Sequence, residues 1–117
     1  MNENILYRVA ILARRNMKKK YSRILLHRIG RWQNKDLKTC RGYCAETVEE
    51  ASLLLQELHI PYKIVSVNPP GGGNHIVLRV EDYILDPTIN QYADKLKLKY
   101  AHKYVWNLQE YPLRIKR

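Results

Sequence analysis

Cysteine and long hydrophobic runs are both scarce in this sequence, and each scarcity excludes a class of protein. Cys40 and Cys44 are the only two cysteines among 117 residues, which is too few for a disulfide framework. No uninterrupted apolar run approaches the roughly 20 residues that a membrane-spanning helix needs, so we expect no membrane span. Residues 1–13 contain Glu3 and Arg8 but no small-residue cleavage site, so we expect no secretory signal peptide. We therefore expect a cytoplasmic protein, acting in its own cell or in a target cell.

Acidic residues are also few, and the resulting positive charge is unevenly distributed. The chain has 21 Lys and Arg against 11 Asp and Glu, a net charge of +10 with a pI near 9.8. Residues 1–41 carry twelve basic and two acidic residues. Residues 42–92 carry two basic and seven acidic residues, and residues 93–117 carry seven basic and two acidic residues. Such an excess favours an anionic partner: nucleic acid, an acidic protein or an anionic membrane surface. We expect one domain over residues 1–117, with a basic helical N-terminal part, a chemical centre and a basic C-terminal part.

Hydrophobic spacing predicts helices in the first half of the chain. Apolar residues recur at helical spacing over residues 4–17, and a second short helix is expected over residues 22–29. A third apolar stripe predicts an amphipathic helix over residues 44–58, which Pro61 brings to an end. Residues 31–41 show no periodicity and are expected to form a loop.

Runs rich in β-branched residues predict three strands in the second half of the chain. A glycine- and proline-rich loop over residues 68–74 separates the first two strands, and Asp86-Pro87-Thr88 ends the third because proline removes a ladder donor. Residues 93–104 fit either helix or strand, and the pattern over 105–117 is ambiguous. We expect an α+β fold, in which N-terminal helices and a helix that carries a nucleophile pack on a small antiparallel sheet. The three predicted strands are 62–67, 75–80 and 83–85.

Three residues with the side chains of a thiol-dependent enzyme lie at the ends of these predicted elements. Cys44 opens the central helix, His75 opens a strand, and Asp86 ends the next strand eleven residues later. If these two strands pair as a hairpin, His75 and Asp86 fall near each other at the same end of it. A thiol, a base and a carboxylate that orients the base are the groups that nucleophilic catalysis uses.

The predicted helix N-terminus gives Cys44 a physical basis for reactivity. Its partial positive charge and its free backbone N–H groups stabilise a thiolate, which lowers the pKa of the thiol. The same N–H groups can hold the oxyanion of a tetrahedral intermediate. In this arrangement His75 deprotonates Cys44 and later protonates the leaving group, while Asp86 fixes the imidazole tautomer.

Residues 42–92 resemble the catalytic core of transglutaminase-like proteins. Gly42-Tyr43-Cys44, followed by a leucine-rich turn, Ile60-Pro61 and a β-branched strand, resembles the nucleophile helix and next strand of that family. His75–Val80 resembles its histidine strand, and Asp86-Pro87-Thr88 is similar to the end of its aspartate strand. The order Cys, His, Asp is shared with the wider papain-like superfamily, which includes small papain-fold toxin domains of bacteria.

The resemblance implies a papain-like or transglutaminase-like core and thiol acyl chemistry on amide bonds. Its roles transfer to Cys44, His75 and Asp86 only, as a catalytic triad of a hydrolase or acyltransferase. Peptide hydrolysis, glutamine deamidation and transamidation all remain open, each with a protein as the expected substrate and no cofactor. No metal site is expected either, because Cys40 and Cys44 are not followed by a second ligand pair with zinc spacing.

The sequence departs from the family pattern at two positions. The residue after the histidine is aromatic in the family and is Ile76 here. Papain-type peptidases carry a glutamine about six residues before the cysteine as an oxyanion donor, and this chain has Lys38 there. Gln33 and Gln91 are the remaining candidates for a side-chain amide in that role.

The basic N-terminal part supports two further hypotheses. One is a papain-fold toxin that acts on RNA, as a ribonuclease or an RNA binder, with basic side chains on phosphates and an aromatic ring stacked on a base. The other is a non-catalytic basic module that meets an acidic protein, for example a neutralising partner. The candidate contacts with RNA or another anionic partner are Arg14, Arg15, Lys18, Lys19, Lys20 and Trp32.

Overall fold

A computed structural model of the chain describes residues 1–24, 31–32, 35–97 and 102–116, without the side chains of residues 31 and 32. The chain has an α+β fold, in which helices pack on a small curled antiparallel sheet. The helices are α1 (Glu3–Tyr21), α2 (Cys44–Glu57) and α3 (Ala93–Leu96), with a 3-10 turn at Ile89–Tyr92. The strands are β1 (Arg31–Trp32), β2 (Lys35–Asp36), β3 (Lys63–Asn68), β4 (His75–Val80), β5 (Tyr83–Leu85), β6 (Val105–Asn107) and β7 (Arg114–Ile115).

Helix α1 begins at a side-chain cap and runs one turn further than its apolar stripe predicts. The side chain of Asn2 accepts a hydrogen bond from the backbone N–H of Asn4 at 2.9 Å. Lysines occupy the last turn, where cations stabilise the negative end of the helix dipole, so the helix continues to Tyr21. Within the described parts of the chain, no helix combines the length and the hydrophobicity that crossing a membrane requires.

Five strands form one antiparallel sheet in the order β6-β5-β4-β3-β7. The strands predicted over 75–80 and 83–85 are confirmed, and the one predicted over 62–67 lies one residue later. Strand β4 is central, and four of its six residues are buried. Helix α2 packs against β4 and α1 packs against α2. The helix that begins at Cys44 therefore lies against the strand that begins at His75.

The sheet is curled because its two edge strands are close in sequence. Strands β6 and β7 lie at opposite edges, yet only residues 108–113 separate them. Five flat strands at a spacing of about 4.8 Å would put those edges roughly 19 Å apart. Residues 108–110 form a turn, and the three remaining residues span only about 10 Å. The curl brings β7 beside β3 and carries Tyr111 into the interior.

Buried side chains form two clusters, and the smaller one positions the start of α2. The larger cluster fills the space between helices and sheet and includes Leu6, Leu55 and Leu78. The smaller cluster joins the C-terminal half of α1 to the loop before α2, and consists of Met17, Cys40 and Tyr43. Cys40 is wholly buried, and this burial raises the pKa of its thiol. Cys40 therefore has the environment of a packed structural thiol.

The structure differs from the sequence expectation on either side of this core. The prediction of a loop over residues 31–41 is wrong at Arg31–Trp32 and Lys35–Asp36, which pair as two short antiparallel strands. Two-residue strands carry no alternation of polar and apolar side chains, so periodicity cannot reveal them. Residues 22–24 form a turn, and most of the helix predicted over 22–29 lies outside the described residues.

Arg14 ties α1 to the segment that follows Asp86. Its Nη1 donates to the carbonyl oxygen of Pro87 and to Oδ1 of Asn90, both at 2.7 Å. Its guanidinium also lies 4.8 Å from the ring centroid of Tyr104. Because these contacts are half-buried, the guanidinium of Arg14 interacts with other groups of the same fold.

We predict that Arg14→Ala lowers the free energy of unfolding by roughly 2–3 kcal/mol, because charged hydrogen bonds to a half-buried loop are lost. The matched control is Arg15→Ala, whose side chain is exposed and whose loss should change stability by less than about 0.5 kcal/mol. Urea denaturation of both variants measures the difference. Equal destabilisation of the two variants would contradict the role assigned to Arg14.

Candidate active site

Cys44 is the first residue of α2, and its thiol is half-buried at the positive end of that helix. The preceding residue, Tyr43, provides no side-chain cap, so the first backbone N–H groups of α2 keep their capacity to donate. Gly42 has a φ of +82°, and a Cβ there would lie 2.8 Å from Cγ of Lys35. The turn into the helix therefore favours glycine both for conformation and for space.

His75 and Asp86 form a wholly buried pair, with Nε2 of the ring 2.8 Å from Oδ1 of the carboxylate. The tight turn between β4 and β5 sets Val80 opposite Tyr83 and returns the chain along β4. The backbone N–H of Asp86 donates to the carbonyl oxygen of Tyr104 at 2.7 Å, which fixes the residue where β5 ends. The structure thus brings His75 and Asp86 together, as the predicted hairpin requires.

The Cys44 thiol and the His75 ring change each other's pKa. Burial raises the pKa of Cys44, but the contact with the His75 ring, the backbone N–H of Ile76 and the charge of His75 outweigh burial and lower the pKa of Cys44. Burial lowers the pKa of His75, but the hydrogen bond with Asp86 and the contact with Cys44 outweigh burial and raise the pKa of His75 to about 9. A thiolate and an imidazolium therefore coexist in the pH range between these two pKa values.

One ring nitrogen of His75 remains for Cys44. Nε2 bonds to Asp86, whereas Nδ1 is buried and has no partner of ordinary hydrogen-bond geometry among the described residues. Cys44 nevertheless interacts with the ring strongly enough to raise its pKa. Catalytic hydrogen bonds are often long before a substrate binds. Nδ1 is thus the atom that can exchange a proton beside the sulfur.

Two tyrosines complete the site, and sequence reasoning missed both. Tyr111 donates its O–H to Oδ2 of Asp86 at 2.6 Å, so both carboxylate oxygens are bonded. Tyr92 lies edge-on to the His75 ring, with 5.0 Å between ring centroids. Burial, followed by the charges of Cys44 and Asp86, raises the pKa of Tyr92 to about 12. The chain has nine tyrosines, so residue type gave no signal for either one.

The two glutamines proposed as oxyanion donors have different outcomes. Gln33 lies outside the described residues. The side-chain oxygen of Gln91 accepts from the backbone N–H of Gly42 at 3.4 Å, and its nitrogen donates to Oγ1 of Thr88 at 3.1 Å. Gln91 therefore holds the loop that leads to Cys44. The backbone N–H groups at the start of α2 belong to Cys44 and the residues directly after it, so they are closer to the sulfur in the chain than Gln91 is.

The proposed anion contacts of α1 are only partly available to a partner. Arg14 bonds within the fold, as described above. Arg15 and Lys19 are exposed, as is Lys20, which also lies 4.0 Å from a carboxylate oxygen of Glu50. Lys18 is half-buried. The side chain of Trp32 lies outside the described residues.

Comparisons with protein-family models, with curated proteins and with solved structures find no match to this chain. Residue chemistry and geometry therefore carry the assignment of the site. In the part of the chain that the structure describes, no group of three or more His, Cys, Asp or Glu side chains could hold a metal ion.

We predict that Tyr111→Phe lowers the free energy of unfolding by about 1–3 kcal/mol, because Oδ2 of Asp86 is left buried without its donor. Tyr62→Phe is the matched control, since it removes a hydroxyl that bonds to Gln56 at the surface. Its expected effect is within about 0.5 kcal/mol. Thermal and urea unfolding of the two variants test this difference, and a Tyr111→Phe protein as stable as Tyr62→Phe would refute it.

Proposed function

We propose that this protein is a thiol-dependent hydrolase or acyltransferase that acts on an amide bond through Cys44, His75 and Asp86. The observation that carries the proposal is the orientation of the His75 imidazole. Its Nε2 bonds to the buried carboxylate of Asp86, and its Nδ1 has no hydrogen-bond partner of ordinary geometry among the described residues. The same ring interacts with the thiol of Cys44 at the start of α2. The resemblance to papain-like and transglutaminase-like enzymes supports the same chemistry. A polypeptide amide is the substrate that this chemistry fits best.

In the first half of the reaction, the thiolate of Cys44 attacks the carbonyl carbon of the amide and forms a carbon–sulfur bond. The carbonyl electron pair moves to oxygen, and the backbone N–H groups at the start of α2 stabilise that oxyanion. When the intermediate collapses, the carbon–nitrogen bond breaks and His75 transfers its Nδ1 proton to the leaving nitrogen. The products are a free amine or ammonia and a thioester on Cys44.

In the second half, water or an amine attacks the thioester carbon, and neutral His75 accepts its proton. The carbon–sulfur bond then breaks, and the released thiolate forms an ion pair again with protonated His75. Water gives hydrolysis or deamidation, whereas an amine gives transamidation. Asp86 stays ionised throughout and stabilises the imidazolium that each cycle forms.

The buried location of the pair favours catalysis over a non-catalytic binding role. Removing an ionisable pair from water costs free energy, which is recovered only when its hydrogen bonds are good. His75 and Asp86 are both wholly buried, yet Nδ1 of the His75 ring has no hydrogen-bond partner of ordinary geometry among the described residues. A protein that only binds an acidic partner through its surface has no need of such a pair.

Action on RNA, with His75 as acid or base, has less support from the contacts. Of its proposed contact residues, Arg14 is engaged within the fold. The hypothesis of action on RNA therefore rests on Arg15, Lys19 and Lys20, which are exposed. A steep fall of RNA affinity with salt would favour this alternative.

We predict that iodoacetamide labels Cys44 much faster than Cys40 at neutral pH. The pKa of Cys44 is lowered and its thiol is half-buried, whereas burial raises the pKa of Cys40. Mass spectrometry of digested protein after timed labelling gives both rates. Cys44→Ala should fold and lose activity, and Cys40→Ala is the control for loss of a thiol. Equal, slow labelling of both cysteines would argue against an activated thiolate.

We predict that Asp86→Asn moves the pH at which Cys44 becomes reactive to a higher value. Burial lowers the pKa of His75 and the Asp86 carboxylate raises it, so the pKa of His75 falls when the carboxylate is removed. Cys44 then loses its imidazolium partner, and the pKa of its thiol rises. Below its pKa, the thiolate fraction drops about tenfold for each unit of upward shift. Rates of labelling from pH 5 to 10 measure the inflection. Asp82→Asn, an exposed neighbouring carboxylate, should leave it unchanged, and an unchanged inflection in Asp86→Asn would refute the triad.

A further inference from the structure

Tyr92 lies at the candidate active site, but the reaction described above gives its hydroxyl no role. Its ring packs edge-on against the ring of His75, with 5.0 Å between the two centroids. The side chain of Tyr92 is half-buried, so it is accessible to a molecule that binds beside His75. A polar group in this position can contact the reacting atoms directly.

The segment that carries Tyr92 is fixed beside the start of α2. Tyr92 ends a 3-10 turn, and the residue before it, Gln91, accepts from the backbone N–H of Gly42 at 3.4 Å. Gly42 is two residues before Cys44 in the chain. The turn is therefore held against the loop that leads to the thiol, while the ring of Tyr92 contacts His75. Tyr92 thus lies beside both side chains of the proposed thiol–imidazole pair.

The hydroxyl of Tyr92 is a neutral donor that has no partner in the part of the chain that the structure describes. Burial, followed by the charges of Cys44 and Asp86, raises the pKa of Tyr92 to about 12. The hydroxyl therefore keeps its proton at neutral pH, and it interacts more strongly with the charge of the sulfur than with that of the carboxylate. Among the described residues it makes no hydrogen bond, whereas the hydroxyl of Tyr111 is bonded to Asp86.

The proposed reaction needs a donor of this kind. When a thiolate attacks a carbonyl carbon, negative charge moves to the carbonyl oxygen, and hydrogen-bond donors placed there lower the barrier. The amide of Gln91 is not available for this, because its oxygen bonds to Gly42 and its nitrogen to Thr88. The next residue, Tyr92, has a protonated hydroxyl that no described residue occupies.

We propose that Tyr92 is a further catalytic residue, whose hydroxyl donates a hydrogen bond to the oxyanion that forms when Cys44 attacks the substrate carbonyl. It acts together with the backbone N–H groups at the start of α2. This inference rests on the proposed function, because it assigns a role within that reaction. The proton stays on the oxygen of Tyr92 throughout, and His75 remains the acid and the base.

Two reactions of Cys44 separate this role from an effect on the thiolate itself. Alkylation by iodoacetamide forms a carbon–sulfur bond and expels iodide, and no oxyanion forms. Acylation by p-nitrophenyl acetate passes through a tetrahedral oxyanion, which collapses to an acetyl thioester and p-nitrophenolate. Because p-nitrophenolate leaves without a proton, this acylation does not need His75 as an acid. The two rates therefore differ in their dependence on an oxyanion donor.

Tyr92→Phe keeps the ring and removes only the hydroxyl. We predict that the first release of p-nitrophenolate, measured against Cys44→Ala as the blank, slows at least about tenfold, since one oxyanion donor is typically worth roughly 100-fold or more in rate. The rate of alkylation by iodoacetamide and its pH inflection should stay unchanged. An unchanged rate of acylation would overturn the proposal. A parallel fall in alkylation, or an inflection at higher pH, would show that the hydroxyl acts on the thiolate and would also overturn it.

The matched control is Tyr83→Phe. Tyr83 is also half-buried, but it lies opposite Val80 at the end of β5 away from Asp86. Both rates should equal those of the parent protein in this variant. A loss of acylation as large as that in Tyr92→Phe would contradict a local role for the Tyr92 hydroxyl. Urea denaturation of the two variants should give the midpoint of the parent, because the Tyr92 hydroxyl bonds to no described residue.

The two proposals fail in distinguishable ways. If neither reagent reacts with Cys44 of the parent protein faster than with free cysteine at the same pH, the catalytic proposal fails, and the role of Tyr92 fails with it. If alkylation and acylation are both fast in the parent and equally fast in Tyr92→Phe, the catalytic proposal stands and only the inference about Tyr92 fails.

Discussion

The buried hydrogen bond between His75 and Asp86 is the interaction on which the rest of the site depends. Both side chains are wholly shielded from water, so the pair is tolerable only because every oxygen of the carboxylate is bonded. Tyr111 supplies the second of these bonds, and the sheet must curl for Tyr111 to arrive there. Curvature of the sheet, burial of the pair and the raised pKa of His75 are therefore linked.

The segment after Asp86 also positions the loop that leads to Cys44, the proposed nucleophile. Asn90 donates to the carbonyl oxygen of Thr39 at 2.8 Å, and Gln91 accepts from the backbone N–H of Gly42. Both partners belong to the loop that leads into α2. Arg14 holds Asn90 in turn, so α1 braces the same segment. One short stretch of chain thus sets the distance between the helix that carries the thiol and the strand that carries the imidazole.

Charge is arranged differently in space than along the chain. The acids that make residues 42–92 negative include Glu49 and Glu57, which lie on the exposed face of α2. Bases that border the glycine loop come instead from the last quarter of the sequence, through α3 and β7. The bases that border the glycine loop therefore come from outside the acidic chain segment that carries Cys44, His75 and Asp86.

The sequence alone determined the elements whose signal is local. Apolar periodicity predicted α2, and runs rich in β-branched residues predicted three strands. Proline and glycine marked the ends of these elements, so the positions of Cys44, His75 and Asp86 at element boundaries followed directly. The approach of His75 to Asp86 was predictable too, because a two-residue turn forces the strands to pair. Tertiary structure alone decided what depends on contacts between distant residues. Tyr111 lies 25 residues from Asp86 and Tyr92 carries no motif, while β7 is too short to show a period. Their places are set by the curl of the sheet and by burial, which no local pattern in the chain records.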